Sequence, residues 1–188
     1  MAFFDELPGP ERAEVPSPQP WDPPEAEFPG VVPGSTLLLG QSGQAAVAIT
    51  GILAYSAGFE IFLTGRIRRG AGAAGGGQPP PPRLRPPGRQ LRFGMQLPGG
   101  TKIVGERGHG PDHEARPAGP VLRAFMFGGA PHAEFARWWA WPLPPAGPLE
   151  FVCEWAPFGI TESRATIDGQ LILDAASASV RLWPEDQG

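Results

Sequence analysis

Glycine and proline fill 27 and 26 of the 188 positions in this chain, and they come in blocks. That distribution limits the fold more than any other feature, because proline is excluded from helix interiors and central strands and glycine weakens both. Ordered and irregular stretches must therefore alternate. Residues 1–30 hold eight prolines and no sustained periodicity, which predicts an arm; Phe3, Phe4, Leu7, Trp21 and Phe28 are its residues suited to dock it on a domain. Residues 70–90, GAGAAGGGQPPPPRLRPPGRQ, pass from glycines to prolines and read as a long flexible loop. The organisation implied is an arm (1–30), one domain (31–184) carrying the 70–90 loop, and a short tail (185–188), within the size of a single domain.

Between these blocks apolar residues recur with period two, the spacing of half-buried strands. In QAAVAITGILAYS, Val47, Ile49, Leu53 and Tyr55 share one face. In GFEIFLTGRIRR, Phe59, Ile61, Leu63 and Ile67 do the same while Glu60, Thr64, Arg66 and Arg68 point away, and Ser56-Ala57-Gly58 makes a hairpin between the two. LRFGMQL and TKIVG form a further pair around Pro98-Gly99-Gly100. VLRAFMF, EFARWWAWPL and GPLEFVCEW follow. The last alternates most cleanly, with Leu149, Phe151, Cys153 and Trp155 set against Glu150, Val152 and Glu154. Trp139 and Trp141 fall in phase with Phe135 and Leu143, so this phasing centres the core on Trp139, Trp141, Phe151 and Trp155 and leaves Trp138 outside.

From Ala165 to Trp183 the apolar spacing changes to three and four, which predicts an amphipathic helix stopped by Pro184, with Trp138 and Val152 as its packing partners. Seven to nine strands, one C-terminal helix and no βαβ alternation predict a mainly β fold: an antiparallel sandwich, either Ig-like or an open barrel.

The chemistry is sparse. Cys153 is the single cysteine, so neither an internal disulfide nor a cysteine metal cluster can form, and a reducing, cytoplasmic setting is expected. The first twenty residues are acidic and hold no apolar run of secretory length, and the longest apolar stretch, 45–55, is too short for a membrane helix, so no membrane contact is expected. Net charge is −4, yet residues 1–30 carry seven acids against Arg12, while 66–92 carry seven arginines and no acid. Opposite charges of this kind predict attraction between arm and loop. No nucleic-acid partner is expected, because the arginine segment lacks stacking aromatics apart from Phe93.

Glu106, His109, Asp112, His113 and Glu114 are the most metal-like group, but Gly108, Gly110 and Pro111 break the helix that would align the two histidines. Cys153 shares its strand face with Phe151 and Trp155, a core setting that suits an inert thiol. The glycine run at 70–77 lacks the Lys-Ser/Thr ending of a P-loop. Nothing here assigns a catalytic residue, a cofactor or a bound metal. The densest feature is aromatic: Trp138, Trp139, Trp141 and Trp155 lie within eighteen residues. Solvent-facing tryptophans on a sheet make sugar-stacking platforms, so Trp138 and neighbouring His132 are the candidate ligand-binding residues.

The segment WWAWPLPPAGPLEFVCEWAPFGI (138–160), the Ala-rich stretch ending in LWP (182–184), and AYSAGFEIFLTGRIRR (54–69) resemble a family of uncharacterised actinobacterial proteins. The resemblance spans most of 31–184 and implies a single domain, with no activity, cofactor or site residue to carry over. The leading expectation is a non-enzymatic β-sandwich acting through protein partners, with the arm and the loop as contact segments. A carbohydrate or small-molecule module using exposed tryptophans is the second reading. A metal-dependent hydrolase at residues 106–114 is the third.

Overall fold

The period-two segments are strands of two facing sheets. The structure, a computed structural model, describes residues 19–70, 90–107, 116–130 and 132–183. In chain order the strands are β1 (Glu27–Phe28), β2 (Gly30–Val31), β3 (Leu37–Gln41), β4 (Ala45–Ala54), β5 (Phe59–Ile67), β6 (Arg92–Gln96), β7 (Lys102–Val104), β8 (Glu106–Arg107), β9 (Val121–Ala130), β10 (Ala133–Trp141), β11 (Pro148–Trp155), β12 (Ile160–Asp168) and β13 (Val180–Arg181), with helix α1 (Gly169–Ser177) between the last two. The larger sheet runs β2-β4-β5-β10-β9-β8, with β3 also on β4. The smaller runs β12-β11-β6-β7, and β1 pairs with β13 in a separate ribbon. All pairings are antiparallel except β8 on β9. The fold is thus a mainly β, antiparallel sandwich with one helix, and its sheets do not close into a barrel.

The core lies between the sheets and is built from rings. Phe93 stands 5.3 Å from Trp138 and stacks on Phe151 at 6.1 Å, while Trp155 meets Phe158 edge to face at 4.5 Å. Trp138, Phe151 and Trp155 are all at most 1% exposed. Burying a large apolar side chain of this kind stabilises by about 1.5–3 kcal/mol. A β carbon on Gly40 would lie 2.7 Å from Ile160 and 3.3 Å from the Cys153 sulfur, so glycine sets how closely β3 approaches the smaller sheet.

Three expectations are corrected. In β10 the inward residues are Glu134, Ala136, Trp138 and Ala140, so the predicted phase is inverted: Trp138 is core, while Trp139 and Trp141 lie on the outer face. The true inward set holds a carboxylate and two alanines, and summed hydropathy therefore favours the wrong face. In β4 the register shifts between Ile49 and Gly51, so Ile52 and Ala54 continue the inward face in place of Leu53. The predicted C-terminal helix is shorter at both ends, and its first four residues belong to a strand. Ile160–Asp168 alternates and pairs with β11 along its length, and Asp168 then caps α1, its carboxylate accepting the Gln170 N–H at 2.9 Å. The helix ends at Ser177, so Val180 and Trp183 are outside it and exposed. It packs chiefly on β2, β4 and β12, rather than on the strands that carry Trp138 and Val152.

That packing dictates one glycine. A β carbon at Gly30 would sit 1.9 Å from the Ala175 carbonyl oxygen. Gly30→Ala should therefore lower the unfolding free energy by about 1–3 kcal/mol in urea denaturation. Gly43→Ala, where nothing lies within 4 Å of the added carbon, should change it by less than about 0.5 kcal/mol.

Candidate functional site

Alternation in β11 sends Glu150, Val152 and Glu154 to the outer face of the smaller sheet. Register then builds a surface from four strands. Val152 lies opposite Arg164 on β12 and Gly94 on β6, and Gly94 lies opposite Val104 on β7, so one row crosses the sheet as Arg164-Val152-Gly94-Val104. Glu150, Gln96 and Lys102 form the row on one side. Glu154 and Arg92 are paired on the other. Gly94 has a structural cause, since a β carbon there would come 2.9 Å from the Ile103 carbonyl oxygen. Its missing side chain leaves a depression of about 160 Å³ whose apolar lining includes Gly94, Val152 and, at the open edge, Val104.

Charges frame this depression. Arg164 donates to Glu150 and Glu162, each at 2.7 Å, and to Gln96 at 3.4 Å, while Arg92 pairs with Glu154. The guanidinium of Arg164 holds the Glu162 carboxyl below its ordinary range, and the two glutamates raise the pKa of Arg164 in return. Exposed pairs of this kind contribute little to stability. They link five charged side chains, Arg92, Arg164, Glu150, Glu154 and Glu162, on this face of the sheet.

The outer face of the larger sheet carries a second cluster, which the sequence did not reveal. Glu60 is 4% exposed. It accepts the Tyr55 hydroxyl at 3.2 Å and the Arg137 guanidinium, and that guanidinium stands 5.0 Å from the ring centroids of both Phe62 and Phe125. Trp139 is covered by the segment that bears Trp21. Between the sheets Glu134, 2% exposed, lies 3.4 Å from Arg107, which also donates to the Leu91 carbonyl at 2.7 Å. Glu60 and Glu134 thus sit on opposite faces of one sheet and cannot serve as a paired acid and base.

The predicted residues are scattered. Trp138 is 1% exposed, inside the core, and offers no face to a ligand. His132 is half-buried at the start of β10, and its carbonyl accepts the Ile67 N–H at 3.0 Å. Trp139 and Trp155 are also buried. Arg66 and Arg68 are exposed, and Arg92 joins the depression. Trp21 docks the arm as expected, whereas Phe28 is 64% exposed. Glu106 lies on β8; His109, Asp112, His113, Glu114 and the loop arginines Arg83, Arg85 and Arg89 fall outside the described residues, as do Phe3, Phe4 and Leu7. Among the described residues no three His, Cys, Asp or Glu side chains gather as metal ligands, and no helix is long and apolar enough to cross a membrane.

Comparisons with protein families, with curated proteins and with solved structures found no match.

Burial pushes the Cys153 thiol up to about 11, and burial with the adjacent Glu60 pushes Tyr55 up to about 12. Both groups lose their protons more readily in the unfolded chain, so folding stability falls with rising pH. Stability should begin to fall above about pH 9, where unfolded cysteine ionises, and continue to about pH 12. Urea midpoints measured across this range check it, and Cys153→Ala should flatten the portion between pH 9 and 11. In the native protein at pH 8, Cys153 should resist a disulfide-exchange reagent that labels it promptly after unfolding.

Proposed function

We propose that this domain is a non-enzymatic recognition module that binds a segment of a partner protein across the smaller sheet. The observation that carries the reading is the depression over Gly94, lined by the cations Arg92, Lys102 and Arg164 and by Glu154 and Glu162. An apolar cavity of about 150 Å³ takes one benzene ring, so this volume fits a single apolar side chain, and anchors of that size dominate protein interfaces. A frame of both signs suits a polar peptide of mixed charge better than an ion of one sign. Catalysis has little to draw on here, because the buried carboxylates are divided by a sheet and the one thiol is held in its neutral form.

The partner segment that fits is extended, with one apolar residue between charged neighbours. Peptides bearing a central Phe, Leu or Pro flanked by Lys and Glu should bind the protein, and Val152→Glu, which puts a charge on the floor, should weaken them by tenfold or more. Binding should also weaken as salt rises. In cell extract, a protein captured by the wild type should be lost with Val152→Glu and retained with Leu38→Glu on the opposite sheet. The reverse pattern, or peptides that ignore Val152→Glu, would overturn the reading.

A further inference from the structure

The Trp21 contact has the form of a bound ligand. Gln19 to Asp22 make a β-turn, in which the Asp22 N–H donates to the Gln19 carbonyl at 2.9 Å and the Asp22 carboxylate accepts the Gln19 N–H at 3.0 Å. Pro20 occupies the second position, where its fixed φ favours the turn. The turn presents Trp21, which is 8% exposed.

The surface that receives it belongs to the larger sheet and the hairpin after β4. Tyr55 and Trp139 meet edge to face at 5.6 Å. The Trp139 ring covers Gly58, where an added β carbon would approach it to 2.6 Å. The Tyr55 hydroxyl is held by Glu60, and Glu60 by Arg137. From this wall the Trp139 indole N–H donates to the Trp21 carbonyl at 2.8 Å. An aromatic wall with an indole donor aimed at a main-chain carbonyl beside proline is the chemistry by which proline-containing segments are recognised. The indole reads main chain, and the turn brings a buried tryptophan beside it, so neither requirement is unique to residues 19–22.

We infer that the cleft formed by Trp139 and Tyr55 is a recognition site for a proline–aromatic β-turn on a partner protein, and that the chain's own Gln19–Asp22 turn fills it as a tethered competitor. The tether gives the internal turn an effective concentration in the millimolar range. A free ligand therefore binds only when the turn is displaced. This site is on the other sheet from the depression over Gly94, so the two readings stand or fall separately.

The test uses full-length, ¹⁵N-labelled Trp21→Ala and a capped unlabelled hexapeptide copying residues 19–24, QPWDPP, followed at the Trp139 indole N–H signal. The peptide should bind Trp21→Ala at least tenfold more tightly than wild type and shift that signal. Adding Trp139→Phe, which removes the donor and its signal, should weaken binding about fivefold as read from the backbone amide shifts of residues 55–60, and a peptide with alanine for tryptophan should not bind. If Trp21→Ala does not fold, Asp22→Ala loosens the turn while keeping the anchor, and it too should bind the peptide more tightly than wild type. Equal affinity for wild type and a folded variant, or no binding to a folded Trp21→Ala, would overturn the inference.

Discussion

Trp138 and Trp155 fill the space between the sheets because the backbone opposite them carries glycine. A β carbon at Gly105 would lie 2.4 Å from the Trp138 ring, and one at Gly65 would lie 3.0 Å from the Trp155 ring. Protein interiors are packed as densely as organic crystals, so a ring of this size fits only where the facing wall yields its volume. The same close fit fixes the distance between the layers, and with it the outward aim of β11. The depression on the smaller sheet therefore depends on indoles behind it that never reach solvent.

The two sheets differ in width, and the difference shapes the outer face of the larger one. At the Trp139 end that face is covered by the Trp21 turn and holds the ion pair of Glu60 and Arg137. Further along, register aligns Leu38, Ala48, Thr64 and Phe135 across four strands. Leu38 is 59% exposed, and Phe135 and Met126 are each 46% exposed. A charge buried in an apolar setting is tolerated only when paired, and the aromatic rings beside Arg137 help to hold the guanidinium over its partner. Losing Arg137 would leave the covered Glu60 carboxyl without its cationic partner.

Much of this was legible in the sequence, though not its phase everywhere. β11 read correctly because every inward residue is apolar and two of three outward ones are charged. β10 did not, because Glu134 faces inward to meet Arg107, and Trp139 faces outward under a cover supplied from 118 positions earlier in the chain. Period alone cannot tell a buried outer face from an inner one. The helix was overextended because Ile167 and Ile172 satisfy the spacing of a helix although a cap at Asp168 divides them. The depression was hidden for another reason: its row joins residues 94, 104, 152 and 164, and only the strand register brings them together.

The ribbon of β1 and β13 sets Phe28 opposite Val180, and just outside it the Leu182 N–H reaches the Ala26 carbonyl at 2.9 Å. Closing a contact across so long a stretch of chain carries a large entropic penalty unless the intervening strands are already assembled. In kinetic terms the ribbon belongs at the end of folding. The Trp21 turn, joined to β1 by residues 23–26, settles on its cleft only after the cleft exists, so the folding chain presents that aromatic wall before its own competitor docks.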